Sequence, residues 1–266
     1  AALPERRLHC QPTAPPVKYS VITFGCRVNQ ADSLAVEGQL RASGGEAVPA
    51  DAADLVIVNT CSVTATADQG ARQAIRRIAR VNPGARIVVT GCYATRERDA
   101  VGALPNVSAV VCNDDKPHLM SFLRTHAGPT TAERFGAGDG SCGAAIEPGV
   151  AGRTAFTLRV QTGCAESCSY CIIPATRGRP RSVPVDEVLA ELDRVTASGF
   201  LEVALTGVHL GSYGRDLSPR RGLVDLLRTI RDACDGRGRS GRRVLFRISS
   251  LEPMDCTPDL VSLEIG

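Results

Sequence analysis

The sequence predicts an α/β protein built as two parallel-sheet domains in series. Short continuous apolar runs alternate with helical patterns in both halves, the signature of strands buried on both faces. Aromatic residues make up only 4% of the 266 residues and Trp is absent, so Ala, Val and Leu fill the interior, as suits parallel α/β packing. A Gly- and Ala-dense stretch, Gly136–Arg153 (GAGDGSCGAAIEPGVAGR), separates the two alternating regions and reads as a linker.

In the first region YSVITFGC (Tyr19–Cys26) is expected as a strand, with a helix near Ala31–Ala42. DLVIVNTC (Asp54–Cys61) is a second strand, and a helix follows over Thr64–Val81, stopped by Asn82-Pro83-Gly84. ARIVVTGC (Ala85–Cys92) and VSAVVCN (Val107–Asn113) complete the set. After the linker come strand Ala155–Thr162, helix Val185–Ser198, strand Leu201–Val208, helix Leu223–Ala233, strand Val244–Ser250 and a helix starting near Pro258. The expected organisation is a lead-in over 1–16, a first domain over 17–128, a linker over 129–152 and a second domain over 153–266.

Net charge is +3, mildly basic, which permits an RNA partner without requiring one. Lys18 and Lys116 are the only lysines among 31 basic residues. Arginine binds phosphate bidentately and stacks on bases, though a GC-rich coding sequence gives the same excess. No apolar run approaches the ~20 residues of a membrane span. The Pro-rich N-terminus, which starts without Met, shows no signal-peptide core. Eleven cysteines without a secretory signal argue for metal or redox chemistry in a reducing cytoplasm rather than a disulfide scaffold.

The cysteines fall in two trios. Cys26, Cys61 and Cys92 each end an expected parallel strand, in the settings FGC, NTC and TGC. Ligands of open α/β sheets bind at those strand ends, and small neighbours let backbone approach a bulky group. Any one of the three alone reads equally as a small buried hydrophobe. Cys112, also at a strand end, reads as core filler or a fourth ligand. The second trio, Cys164, Cys168 and Cys171, stands C-x3-C-x2-C in the loop after a strand. Such spacing favours an iron–sulfur cluster or zinc. Zinc wants a fourth ligand from a second Cys pair or a His pair, and the four His are scattered. Three ligands on a four-iron cluster leave one iron open to a substrate.

GCAESCSYC resembles the radical S-adenosylmethionine enzymes. With TFGCRVNQADS (Thr23–Ser33), VNTCSVTATAD (Val58–Asp68), VTGCYA (Val89–Ala94), CIIPATRGRPRS (Cys171–Ser182), LTGVHLGSYGRD (Leu205–Asp216) and RISSLEP (Arg247–Pro253), the chain is similar to their methylthiotransferase family from about Tyr19 to Pro253. The form GCRVNQADS most resembles the branch acting on threonylcarbamoyladenosine at position 37, beside the tRNA anticodon. The resemblance implies that the second region is the first half of a radical S-adenosylmethionine (β/α)6 partial barrel, and that the chain is a piece of a longer enzyme.

It also implies cofactors and roles. Cys164, Cys168 and Cys171 would hold a [4Fe-4S] cluster whose open iron takes S-adenosylmethionine. Cys26, Cys61 and Cys92 would hold a second [4Fe-4S] cluster carrying the sulfur to be transferred. Tyr170 would meet the adenine of S-adenosylmethionine, Gly207 would lie near its methionine end, and Arg247 and Ser249 would line the same pocket. Both clusters would face one cavity, so the two sheets should meet at their cysteine-bearing edges. Partners would be tRNA, a flavodoxin- or ferredoxin-like electron donor and a sulfur source. Arg177, Arg179 and Arg181 are the expected phosphate contacts, with further basic groups at Arg72–Arg80 and Arg237–Arg243. Alternative readings are methylthiolation of isopentenyladenosine or of a ribosomal protein, a non-catalytic iron–sulfur or RNA-binding fragment, and a zinc module.

Overall fold

A computed structural model describes residues 16–126, 154–166, 168–234, 243–249 and 251–265. The expected linker 129–152, nearly all of the lead-in, and Arg237, Arg239 and Arg242 lie outside the described residues.

The first half runs β1 (Lys18–Thr23), α1 (Arg27–Ala42), β2 (Glu46–Ala47), β3 (Leu55–Thr60), α2 (Ala65–Val81), β4 (Arg86–Gly91), α3 (Cys92–Arg96), α4 (Arg98–Gly102), β5 (Val107–Val111) and α5 (Leu119–His126). Its sheet has the order β2-β1-β3-β4-β5 and every pairing is parallel. Side chains alternate across a strand, so the apolar runs feed two cores. Leu55, Ile57 and Val88 face Val36 and Leu40 of α1 and Leu119 and Leu123 of α5. Val56, Val58, Ile87 and Val89 face Ala71, Ile75 and Ile78 of α2. Each such side chain taken from water contributes roughly 1.5–3 kcal/mol. The strands stop short of the cysteines that were expected to end them. Cys26 is the N-cap of α1, Cys61 follows β3, and Cys92 opens α3.

The second half runs β6 (Ala155–Arg159), β7 (Gln161–Thr162), α6 (Ile173–Arg177), β8 (Arg181–Ser182), α7 (Val185–Ala197), β9 (Glu202–Thr206), α8 (Leu223–Cys234), β10 (Leu245–Ile248) and α9 (Pro258–Ile265). A parallel sheet of order β10-β9-β6 is the start of the barrel. Phe156, Leu158, Val203 and Leu205 pack under Val188, Leu192 and Val195 of α7 and Leu226 and Ile230 of α8. The opposite face carries Arg159, Glu202 and Arg247. The strand expected over Ala155–Thr162 breaks at Val160, whose N–H bonds Thr206 while its carbonyl accepts from Val183. Beyond the break, β7 turns to pair antiparallel with β8. That pair pinches the base of the loop holding Cys164, Cys168 and Cys171.

α1 ties the halves together. Its Leu34 packs on the core of the second half, and its Asp32 pairs with Arg159 at the end of β6, Nε to Oδ1 3.1 Å. The C-terminal strand edges of the two sheets therefore face each other. No helix among the described residues is long and apolar enough to cross a membrane.

Candidate metal centre

β1, β3 and β4 are adjacent, and their following loops bring Cys26, Cys61 and Cys92 to one corner. Gly25, at φ +100, lies so close to Cys61 that an added Cβ would stand 2.3 Å from the Cys61 Cβ and 2.5 Å from its sulfur. No L side chain fits there, and that approach sets Cys26 beside Cys61. Burial pushes the Cys61 thiol up. The N–H groups of Val63 and Ser62 oppose this, while the sulfurs of Cys26 and Cys92 push it further. The three thiols thus sense one another. Cys61 and Cys92 are buried, and Cys26 is exposed at the rim.

A polar web fixes this corner from beneath. The Asn29 amide donates to the carbonyls of Phe24, 2.8 Å, and Thr60, 2.9 Å. Asn59 donates to Asn29 O, 2.9 Å, and Ser33 Oγ, 3.0 Å. Thr60 Oγ1 donates to Thr90 O, 2.6 Å, and accepts from Ala94 N, 3.1 Å. Asn113 points its Nδ2 at Cys92 Sγ, 3.6 Å, and at Thr176 O, 2.8 Å, across the seam.

Three cations converge on the same place. Lys116 Nζ, Arg159 Nε and Arg177 Nη2 lie 2.9, 3.1 and 3.3 Å from the Asp32 carboxylate. Burial works against the Asp32 charge, but Lys116, Arg159 and Arg177 outweigh it and bring its pKa down to about 2. Burial, with Arg177 beside it, weakens Lys116's hold on its proton, and Asp32 opposes both. One carboxylate offsets one of three positive charges. Cationic surroundings favour thiolates, and thiolates are what an iron–sulfur cluster requires, so the donor set and its charges fit an anionic cluster. Among the described residues no three His, Cys, Asp or Glu are grouped so as to hold a single metal ion.

The second trio lies in the loop between β7 and β8. Gly163, at φ +73, rests on the backbone of Arg179, where a Cβ would be 2.0 Å from Arg179 O. Cys164 N donates to Gly178 O, 3.1 Å, and Cys171 N to Cys168 O, 3.1 Å. Glu166 N donates to Cys164 Sγ, 3.4 Å. Cys168 is exposed, Cys164 and Cys171 are half-buried, and Tyr170 is 91% exposed. At the neighbouring strand end Gly207 packs beside Gln161. Ser249 donates to Leu205 O, 3.0 Å, and Thr206 Oγ1, 3.1 Å, at that same edge. Arg247 stands on the helix-free face, Nε to Glu202 Oε1 2.6 Å. Cys112 is half-buried at the end of β5.

Arg177 departs from expectation. It was grouped with the RNA-facing arginines, yet it is 3% exposed. It donates to Asn29 Oδ1 and Asp32 Oδ2 and to Thr162 Oγ1, 3.3 Å. Such a guanidinium is not offered to a phosphate backbone, whereas Arg179 and Arg181 are exposed. Arg72, on the basic face of α2, bonds Tyr93 Oη, 2.9 Å, while Arg76, Arg77 and Arg80 are exposed.

Sequence reasoning missed Gln161, Asp32, Lys116 and Asn113. Gln161 is fully buried; its Oε1 accepts from Val208 N, 2.9 Å, and His209 N, 3.0 Å, and its Nε2 donates to Gly163 O, 2.7 Å. It joins the cysteine loop to the turn after β9. The one available signal was a polar residue inside an otherwise apolar strand pattern.

A parallel sheet with a cysteine beyond each of three strand ends, followed by a β/α series opening on a C-x3-C-x2-C loop, defines a two-domain radical S-adenosylmethionine protein. Residues 158–260 match the Radical SAM superfamily, and residues 18–113 match the family described as Uncharacterized protein family UPF0004. Over 244 residues the chain is 35% identical to a threonylcarbamoyladenosine tRNA methylthiotransferase, MtaB, of Chlamydia pneumoniae, covering 91% of this chain and 53% of that one. It is 36% identical over 225 residues to a tRNA-2-methylthio-N(6)-dimethylallyladenosine synthase of Anaeromyxobacter dehalogenans, covering 82% and 48%. The radical S-adenosylmethionine methyltransferase TsrM of Kitasatospora setae superposes with a TM-score of 0.57 at 16% identity, over 93% of this chain and 57% of that one, a likeness of fold. The chain belongs to the radical S-adenosylmethionine methylthiotransferase family. It spans about half the length of the curated relatives it matches.

Proposed function

We propose that this chain carries the metal and S-adenosylmethionine sites of an enzyme that methylthiolates N6-threonylcarbamoyladenosine at position 37 of tRNA. The observation that carries the reading is the meeting of the two cysteine-bearing strand edges, with Arg177 of one half bonded to Asn29 and Asp32 of the other. An adenine C2–H bond is beyond ordinary acid–base groups, so the chemistry belongs to cofactors that the protein positions and shields. When bound, a cluster at Cys164, Cys168 and Cys171 with S-adenosylmethionine supplies hydrogen-atom abstraction, and one at Cys26, Cys61 and Cys92 holds the sulfur to be delivered.

The chain's own residues orient these groups. Gln161 fixes the turn at Gly207 and Val208 against the cysteine loop. Tyr170 stands exposed on that loop to meet adenine and Ser249 borders the same edge, whereas Arg247 turns to Glu202 at the opening of β9. Arg179 and Arg181, exposed beside the loop, are placed for tRNA phosphates. A one-electron donor of flavodoxin or ferredoxin type and a sulfur source complete the reaction.

Anaerobic iron and sulfide counting tests the metal reading. Each Cys→Ala triple variant is expected to lose about half the iron of the wild type, as two separately ligated clusters imply; unchanged iron in either variant sinks it. The likeness to a dimethylallyladenosine synthase favours a second substrate reading, isopentenyladenosine. Mass spectrometry of tRNA nucleosides from cells lacking the gene separates the two by which methylthio nucleoside disappears.

A further inference from the structure

We propose that Arg177 is a positioning residue of the N-terminal trio, delivered from the short helix that follows the loop of the second trio, and that it sets the reduction potential of the group held by Cys26, Cys61 and Cys92. The inference rests on the metal reading above and extends it. Arg177 closes α6, which begins two residues after Cys171. From there its guanidinium crosses the seam and is nine-tenths and more buried.

Its partners account for its orientation. Asn29 Oδ1 and Asp32 Oδ2 take Nη2, and Thr162 Oγ1 takes Nη1. Both asparagine and aspartate come from the first two turns of α1, the helix that Cys26 caps. Thr176 O, one residue before Arg177, and Cys92 Sγ are both held by Asn113 Nδ2, at 2.8 and 3.6 Å. Asn29 in turn holds Phe24 O and Thr60 O, the residues before Gly25 and Cys61. Arg177 thus bears on the backbone beside Cys26 and Cys61 through Asn29, and its neighbour Thr176 is tied to Cys92 through Asn113.

This placement has an electrostatic consequence. Asp32 is shared with Lys116 and Arg159, so it does not cancel the Arg177 charge. A buried cation beside a cluster favours the electron-richer state, since net charge helps set such potentials. Removing it makes the reduced state harder to reach. Lysine is an incomplete substitute, because a point charge cannot serve Asn29, Asp32 and Thr162 together as a planar fork does.

The test uses the full chain with Cys164, Cys168 and Cys171 replaced by Ala, so that one cluster is observed. After reconstitution, its midpoint potential is read by EPR-monitored titration. Arg177→Gln is expected to keep the iron content and to shift the reduction equilibrium about tenfold toward the oxidised form, ~59 mV for one electron. Arg177→Lys is expected to fall between the variant and the parent. Asp114→Asn, which breaks the exposed seam pair with Arg181 (3.0 Å) without touching a cysteine, is the control for mere loosening of the seam. An unmoved potential in Arg177→Gln overturns the proposal, and so does a shift of equal size and sign in Asp114→Asn. Should Arg177→Gln fail to fold, Arg177→Lys decides alone: a lowered potential supports the proposal and an unchanged one overturns it. Full iron retention in the Cys26, Cys61, Cys92 triple variant sinks the underlying metal reading as well.

Discussion

Asp32 shows how much a single residue carries here. Its pKa drops from the ordinary 3.8 to about 2, so the folded state binds its proton more weakly than the unfolded chain. Its stabilisation is complete above the ordinary carboxylate value and is lost as pH falls through about 2. Urea midpoints should therefore hold steady from pH 7 to about pH 5, then fall as the acid region is entered, and Asp32→Asn should flatten its share of that fall. The same variant leaves buried cations without their carboxylate and should cost about 3–5 kcal/mol in urea unfolding at pH 7. Gln161→Leu, which strands the N–H groups of Val208 and His209, should cost roughly 1–3 kcal/mol in the same assay. At this scale the sequence was unevenly legible. The six cysteines announce themselves by type and setting. Asp32, Lys116 and Gln161 do not, because an isolated polar residue gains its meaning only when distant segments close around it. Arg177 misled for the same reason: an arginine in a Gly- and Pro-rich loop resembles solvent-exposed charge until the fold buries it.

Elements follow from simpler rules, and more of them were readable. α2 begins where Thr64 Oγ1 accepts from Ala67 N, 3.2 Å, and buries Ala71, Ile75 and Ile78 at helical spacing. Thr64→Ala should lower the unfolding free energy by about 1 kcal/mol, measured by denaturant titration. Gly25→Ala combines a left-handed φ with a collision against Cys61 and should cost more than ~1 kcal/mol; iron loading should fall with it. The major strands were legible because a strand buried on both faces must be apolar throughout. β2, only Glu46–Ala47, carries no such pattern, and α3, α4 and α6 are too short to show a period. The break at Val160 was hidden for another reason. The alternation runs on through Gln161, past the break, while the partner strand changes from β9 to β8.

For the whole molecule, the seam between halves is polar where the cysteines are and apolar only around Leu34. The division into two sheet-bearing halves was visible in the sequence, but the means by which they lock was not. β9 is paired on both sides, whereas β10 pairs with β9 alone among the described residues. Amide exchange should accordingly be slower in β9 than in β10, and equal rates would contradict this sheet order. The two trios also differ in how far apart their members lie along the chain. Cys164, Cys168 and Cys171 sit in one short loop, while Cys26, Cys61 and Cys92 wait on three strands and their crossovers. On the proposed reading, maturation acquires an order: the local nest can take up iron together with inorganic sulfide as soon as its loop has formed, but the dispersed one stays unfilled until tertiary folding is finished.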